Sequence, residues 1–413
     1  MFKNWRTNKV YVIIMLIVIF LMPIPLAQDN VYSTHLICVG LGIDKLDQGY
    51  EVSVQVVVPE EVSLFKQKLQ VYSARGNNMQ DCVANLSSHL GKELGLAHCS
   101  HVVVNKEVLD GYLIENLDFF MRSYQIDFNC AVCATDKTAK DILLLSGELN
   151  NNQGFDITTM LDYNNAFLFS RNANIQTVYS SLMSGSNSYF LKLFTTTSDS
   201  SSGVNAKGEV GADSEGGEQG GGGSAGGEQK KDASLVNSDT VLFMQKSELI
   251  GSASVQELEG VRYINPQNTN FELVIDNFTD DFYFDATVYL SSDKKFQTNR
   301  YYFVDGVPTV QLNIIQYLKI DAIEQDHYNK SLFLADVDNF TYALELAVKN
   351  HIIEKINQGI SVLKTYNCDG VNVYDGFKKY ANKQFLNFLH SLEDPDKYFD
   401  KINFVIDVKV EHE

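Results

Sequence analysis

From Thr195 to Ser234 the chain is built almost only of Ser, Gly, Thr, Glu, Asp, Lys, Gln and Ala, and Gly216 to Gly227 is mostly glycine. So little apolar surface cannot offset the entropy of ordering, so no packed helix or strand is expected there. The chain therefore folds either as two units joined by a flexible linker or as one unit carrying a long loop. The second option is open because loop-closure entropy grows only slowly with length. The working division is an N-terminal α+β domain over 28–194, a linker over 195–234, and a C-terminal α+β region over 235–413. A further sub-boundary is expected near residue 305.

Length and composition set the limits on function. The 413 residues suffice for two or three domains, and 45% hydrophobic and 11% aromatic residues supply packed cores. The formal net charge of -19 argues against a nucleic-acid partner, whose phosphates need a basic surface. It equally opposes broad adhesion to anionic lipid.

The first 27 residues differ from the rest. Lys3, Arg6 and Lys9 precede a nearly continuous apolar run, Val10 to Met22, which Pro23 and Pro25 end. A charged start, an apolar stretch and a helix-breaking exit make an export signal. The run is shorter than the ~20 residues of a spanning helix. Counted on to Ala27 it lengthens, so residues 1–27 read as either a signal peptide or an uncleaved signal-anchor. In both cases the positive-inside rule places the body of the chain outside the cytoplasm.

Strand and helix signals alternate before the linker. His35–Ile43 and Tyr50–Val58 are β-branched and apolar, and Asp47-Gln48-Gly49 between them predicts a hairpin. Leu69–Ala74 is a third strand. Asn77–Leu90 carries apolar residues at helical spacing and ends at Gly91. His101–Asn105 reads as strand, Leu113–Arg122 as helix, and Asp127–Ala134 as strand. A helix follows over Asp136–Leu145 with Asp136 at its N-cap, and another is expected at Ile175–Ser184. After the linker, strands are predicted at Thr240–Met244, Arg262–Ile264, Phe271–Ile275, Tyr283–Leu290 and Arg300–Val304. A long helix over Asn339–Tyr366, a second over Val373–Leu392 and a closing strand from Ile402 to Val410 complete the pattern. The fold class is α+β, with mixed and antiparallel sheets, packed helices and two to three subdomains.

Catalytic signatures are mostly missing. There is no Gly-x-Ser-x-Gly elbow, no His-Glu-x-x-His and no phosphate-binding loop. The one metal candidate combines His98, Cys99 and His101 with Cys130 and Cys133, ligand types that suit zinc. A predicted strand through Cys130 and Cys133 points them to opposite faces, which opposes chelation. The expectation is that these are buried thiols, with no cofactor and no metal. His351, on the apolar face of the long helix, reads as a core or boundary histidine. The paired carboxylates Asp280-Asp281 and Glu60-Glu61 read as solvated turns.

Several stretches in order resemble the Ger(x)C family. They are Gly42-Ile43-Asp44-Lys45, the Gln55–Pro59 strand, Ser73-Ala74-Arg75-Gly76, Leu94-Gly95-x-x-His98 and Val102-Val103-Val104. Asp118-Phe119-Phe120-Met121-Arg122 and Ala139-Lys140-Asp141-Ile142-Leu143 follow, then Val241-Leu242-Phe243 with Leu249-Ile250-Gly251 after the linker. The resemblance implies a C subunit of a GerA-type spore germinant receptor, without catalysis, on the outer side of the spore inner membrane. It implies membrane association beside an A-like subunit and a transporter-like B-like subunit, with the ligand unknown. Gly42, Asp44, His98, Arg122 and Lys140 match family positions and are expected to be structural. Proteins of the family it resembles usually carry a lipid-anchored cysteine after the signal. Residues 24–31 here contain none, and Cys38 lies inside a predicted strand.

Overall fold

The computed structural model describes residues 35–59, 67–124, 126–146, 157, 173–197, 234–264, 271–276, 284–325 and 337–412. The apolar segment read as an export signal lies outside them, as do Glu60-Glu61 and Asp280-Asp281.

β1 (His35–Lys45) and β2 (Tyr50–Pro59) form the expected hairpin, with Lys45 opposite Tyr50. Gly49 takes φ 77, a conformation that an L side chain would strain. β3 (Gln67–Gly76) continues the antiparallel run. α1 (Met79–Leu90) starts where the Asn78 side chain accepts the Asp81 amide at 2.8 Å. It ends at Gly91 with φ 63 and buries Met79, Cys82, Val83 and Leu86. The chain then alternates through β4 (Glu93–Gly95), β5 (His101–Asn105), α2 (Leu113–Tyr124), β6 (Ala131–Thr135), α3 (Ala139–Ser146), α4 (Ile175–Met183) and β7 (Ser188–Thr197). β8 (Ser234–Gln245) and β9 (Glu248–Ser254) complete a nine-stranded sheet, ordered β3-β2-β1-β5-β6-β7-β8-β9 with β4 beside β1. β1, β5, β6 and β7 are parallel and the flanking pairs antiparallel. One face buries α1, α2 and α4 on a core that includes Leu41, Val54, Val102, Leu117, Phe120 and Val132. The opposite face is covered by α3, around Val103, Cys133, Ile142, Leu143 and Phe194.

The glycine-rich segment lies between two paired strands of the first sheet in sequence. β7 and β8 pair from Ser188↔Gln245 to Thr197↔Ser234, so its two ends meet across one ladder. Strands on both sides of it belong to the first sheet, and residue 235 does not mark the change from one sheet to the other.

The second sheet is ordered β10 (Phe271–Asp276), β11 (Phe284–Val304), β12 (Val307–Gln325) and β13 (Asn403–His412). β11 and β12 form one long hairpin that turns at Asp305-Gly306, both at positive φ. α5 (Glu259–Ile264) stands where Arg262–Ile264 was expected as strand. Val261, Tyr263 and Ile264 are buried in one core with α6 (Val337–Thr365), where an added Cβ on Gly260 would stand 1.8 Å from the Lys355 carbonyl oxygen. Close helix packing thus overrides the β-branched local sequence. The expected helix over Val373–Leu392 is two helices, α7 (Val373–Tyr380) and α8 (Asn382–Ser391), broken at Ala381.

The two sheets meet through rings seated on glycines. A Cβ on Gly251 of β9 would lie 2.3 Å from Tyr366, one on Gly370 would lie 1.8 Å from Phe190, and one on Gly185 would lie 2.2 Å from Tyr374. Phe190, Phe243 and Tyr366 pack in sequence as tilted rings, with centroids 5.6 and 5.1 Å apart. Lys246 closes the rim on Asp396 at 2.6 Å.

Candidate functional site

In sheets with parallel strands, ligands usually gather at the carboxyl ends of the strands. Here that edge lies at Lys45, Asn105 and Thr135, and the chain fills it with its own side chains. Asp44, buried at the end of β1, reaches across to the start of α3. One carboxylate oxygen accepts the Ala139 amide at 2.6 Å and the other the Lys140 amide at 3.3 Å. The N-terminus of α3 is the place where an anionic ligand would dock, and a resident carboxylate occupies it. Burial pushes the Asp44 carboxyl up to about 6, against the pull of the two amides.

The neighbouring groups lock the same corner. Lys45 donates its amide to the Asn105 side-chain oxygen at 3.1 Å, and the Asn105 side chain returns a bond to the Lys45 carbonyl at 3.3 Å. Lys140 Nζ lies 3.2 Å from Glu51, which also takes Arg75 Nε at 2.8 Å. Burial raises the Glu51 carboxyl, yet the bonds from Arg75, Ser73 and Lys140 hold it below its usual range. Gly42 lets α3 approach: a Cβ there would lie 3.0 Å from Leu143 and 3.2 Å from Ala139. Three of the family-matching residues, Gly42, Asp44 and Lys140, therefore converge on one contact between β1 and α3. The other two do not. Arg122 is exposed and pairs with Asp118 one helical turn earlier at 2.8 Å, and His98 lies exposed on a loop.

Sequence reasoning placed the N-cap of α3 at Asp136. The structure places Thr138 there, its hydroxyl accepting the Asp141 amide at 3.1 Å, with Asp44 as the second acceptor. Asp44 lies far away in sequence, so no local pattern could reveal it.

The five metal-candidate residues separate. Cys130, just ahead of β6, packs into the core under α1 and α2, while Cys133 packs on the opposite face under α3. Cys99 joins Cys130, with the sulfurs 3.8 Å apart. His101 is fully buried on the other face. Ser100 Oγ donates to the Val39 carbonyl at 3.0 Å, so at 2.9 Å it accepts from His101 Nδ1–H. His101 Nε2 then carries a lone pair and lies beneath Gly40, where an added Cβ would come within 2.5 Å. Burial lowers this imidazole to about 4, so it is neutral at physiological pH. Among the described residues, no group of three His, Cys, Asp or Glu is placed to hold a metal ion. His351 lies beside Glu259, 3.9 Å away, in a polar cluster with Lys355 and Arg262 at the crossing of α5 and α6.

Comparison with known proteins assigns this arrangement. Residues 32–196 match the spore germination protein N-terminal domain, and residues 238–412 match the spore germination B3/GerAC-like C-terminal domain. The chain belongs to the Ger(x)C family. The crystal structure of the GerBC protein superposes with a TM-score of 0.51 at 12% identity, covering 90% of this chain and 96% of that one. At that identity the likeness shows the fold. No curated protein matches. Ger(x)C proteins are C subunits of germinant receptors and a non-catalytic family, and this chain is one at the level of the family. The two family domains divide the sequence at the glycine-rich segment, whereas the first sheet draws strands from both of them.

Proposed function

We propose that this Ger(x)C protein is a non-enzymatic, extracytoplasmic subunit of a spore germinant receptor that supports receptor assembly and the nutrient response. Residues 1–27 are its export signal or anchor, holding it at the outer face of the spore inner membrane. Its partners are a membrane-embedded A-like subunit and a transporter-like B-like subunit. No helix among the described residues is long and apolar enough to cross a membrane, so the anchor in this reading lies in the N-terminal segment.

The observation that carries the reading is the pair of family matches over both halves of the chain. The filled strand edge supports the same conclusion. Gly42, Asp44 and Lys140 are spent on joining β1 to α3, so a structural role accounts for them. The test is a detergent pull-down from membranes of sporulating cells, with partners identified by mass spectrometry. Recovery of a multi-spanning A-like protein and a transporter-like protein is the expected result. Recovery of the chain alone, from membranes that contain both proteins, overturns it.

A further inference from the structure

Four of the six cysteines lie in the core under one face of the first sheet, and three of them come from neighbouring parallel strands. Cys38 in β1, Cys99 just before β5 and Cys130 just before β6 share the core beneath α1 and α2. β1, β5 and β6 are adjacent parallel strands, so these residues stand side by side at the amino end of the parallel run. Cys99 and Cys130 are in van der Waals contact, sulfur to sulfur, at 3.8 Å. Of the remaining cysteines, Cys82 lies in the same core but on α1, where it bonds the Tyr50 carbonyl, Cys133 lies on the other face, and Cys368 belongs to the second sheet's core.

We infer that Cys99 and Cys130 are a disulfide-forming pair that staples the start of β5 to the start of β6. Three observations carry this. A disulfide needs its sulfurs at about 2.05 Å, and the contact at 3.8 Å leaves only a short closing movement. Both residues lie outside the regular ladder, since β5 begins at His101 and β6 at Ala131, so the closing movement falls on loop backbone. The bond would close a loop between residues 31 apart in sequence, holding β5 and α2 within it.

Burial sets when the bond can form. The Cys130 thiol is raised by its contact with Cys99 and by desolvation, and Cys38 is pushed up to about 12 by burial. Few thiolates exist in the folded state, so exchange is slow there. The bond forms while the chain folds and is then shielded from reductants. The chemistry is thiol–disulfide exchange with a small-molecule or protein disulfide. One cysteine thiolate attacks the oxidant and expels a thiolate. The second attacks the mixed disulfide at the cysteine sulfur and expels the other. The two cysteine protons end on the two expelled thiolates, and two electrons pass to the oxidant. Cys38, adjacent but not in contact, stays reduced.

The experiment uses the full chain, unfolded and refolded in an oxidised/reduced glutathione buffer, then alkylated, digested and mapped by mass spectrometry. The expected product is a Cys99–Cys130 cross-link with Cys38, Cys82, Cys133 and Cys368 alkylated. It should raise the Tm by about 2–5 °C over the reduced chain, as a closed loop of this size restricts the unfolded state. Cys99→Ser and Cys130→Ser should each abolish the redox-dependent part of the Tm, whatever their own cost to stability. All six cysteines alkylated, or Cys38 in the bridge, would overturn the inference. Because refolding is done in a set redox buffer, the outcome is independent of where the protein resides in the cell.

Discussion

Replacing Asp44 tests the contact on which the family-matching residues converge. Asp44→Ala removes both acceptors at the start of α3 and leaves the Ala139 and Lys140 amides without them in a buried corner. Loss of a helix cap costs about 1 kcal/mol, and a buried amide left without an acceptor about 1–3 kcal/mol. The expected loss is about 2–4 kcal/mol, concentrated in α3. Asp44→Asn keeps one acceptor and has no charge to desolvate, so it should cost less than Asp44→Ala at neutral pH. The two variants also differ from wild type in pH dependence. The folded carboxyl lies near 6, above its unfolded value of 3.8, so the folded protein holds the extra proton between those values. Stability from this group therefore falls as pH rises from about 4 to 6, by about 3 kcal/mol at most. Asn cannot titrate and should flatten that part of the profile. Hydrogen-exchange protection of the 139–146 amides, read alongside thermal melts from pH 4 to 7, measures both effects. An Asp44→Ala protein whose α3 amides keep wild-type protection would refute the reasoning.

Other outcomes follow from the same geometry. Replacing residues 200–231 by a short turn should leave the circular dichroism unchanged and raise stability by about 1–2 kcal/mol, because it shortens a loop whose ends are already paired; a collapsed melt would contradict that pairing. Gly370→Ala forces a methyl group into Phe190 and should lower stability by about 1–3 kcal/mol, seen as a lower Tm with near-native secondary structure. Glu259 is raised by burial but brought down to about 2 by His351, Lys355 and Arg262. Its contribution is complete above about 4.5 and is lost as pH falls toward 2, so Glu259→Gln should melt lower at pH 7 yet lose less on acidification.

Elements whose signal is local were legible in the sequence. The Asp47-Gln48-Gly49 turn, the apolar face from Met79 to Leu86, and the capped helix at Ile175 depend on neighbours a few residues away, and each stands where expected. The misses depend on distant contacts. Arg262–Ile264 has strand-like residues but turns helical because Gly260 packs on the backbone of α6. Val307–Gln325 went unread, although it pairs with β11 along its length and with β13 at its start. The glycine-rich segment reads as a divider by composition, yet strand pairing brings its ends together. At the strand edge, Gly42, Asp44 and Lys140 were singled out by resemblance, but their shared contact was invisible. Glu51 and Asn105, which complete it, gave no signal at all. Cys130 and Cys133 do face opposite ways, although Cys130 precedes the strand rather than lying in it.

The rings seated on Gly185, Gly251 and Gly370 have a mechanical consequence. Each aromatic side chain fills the space a methyl group would need, leaving no slack through which one sheet could slide over the other. A larger side chain at any of these three glycines would therefore part the first sheet from the helices packed on it.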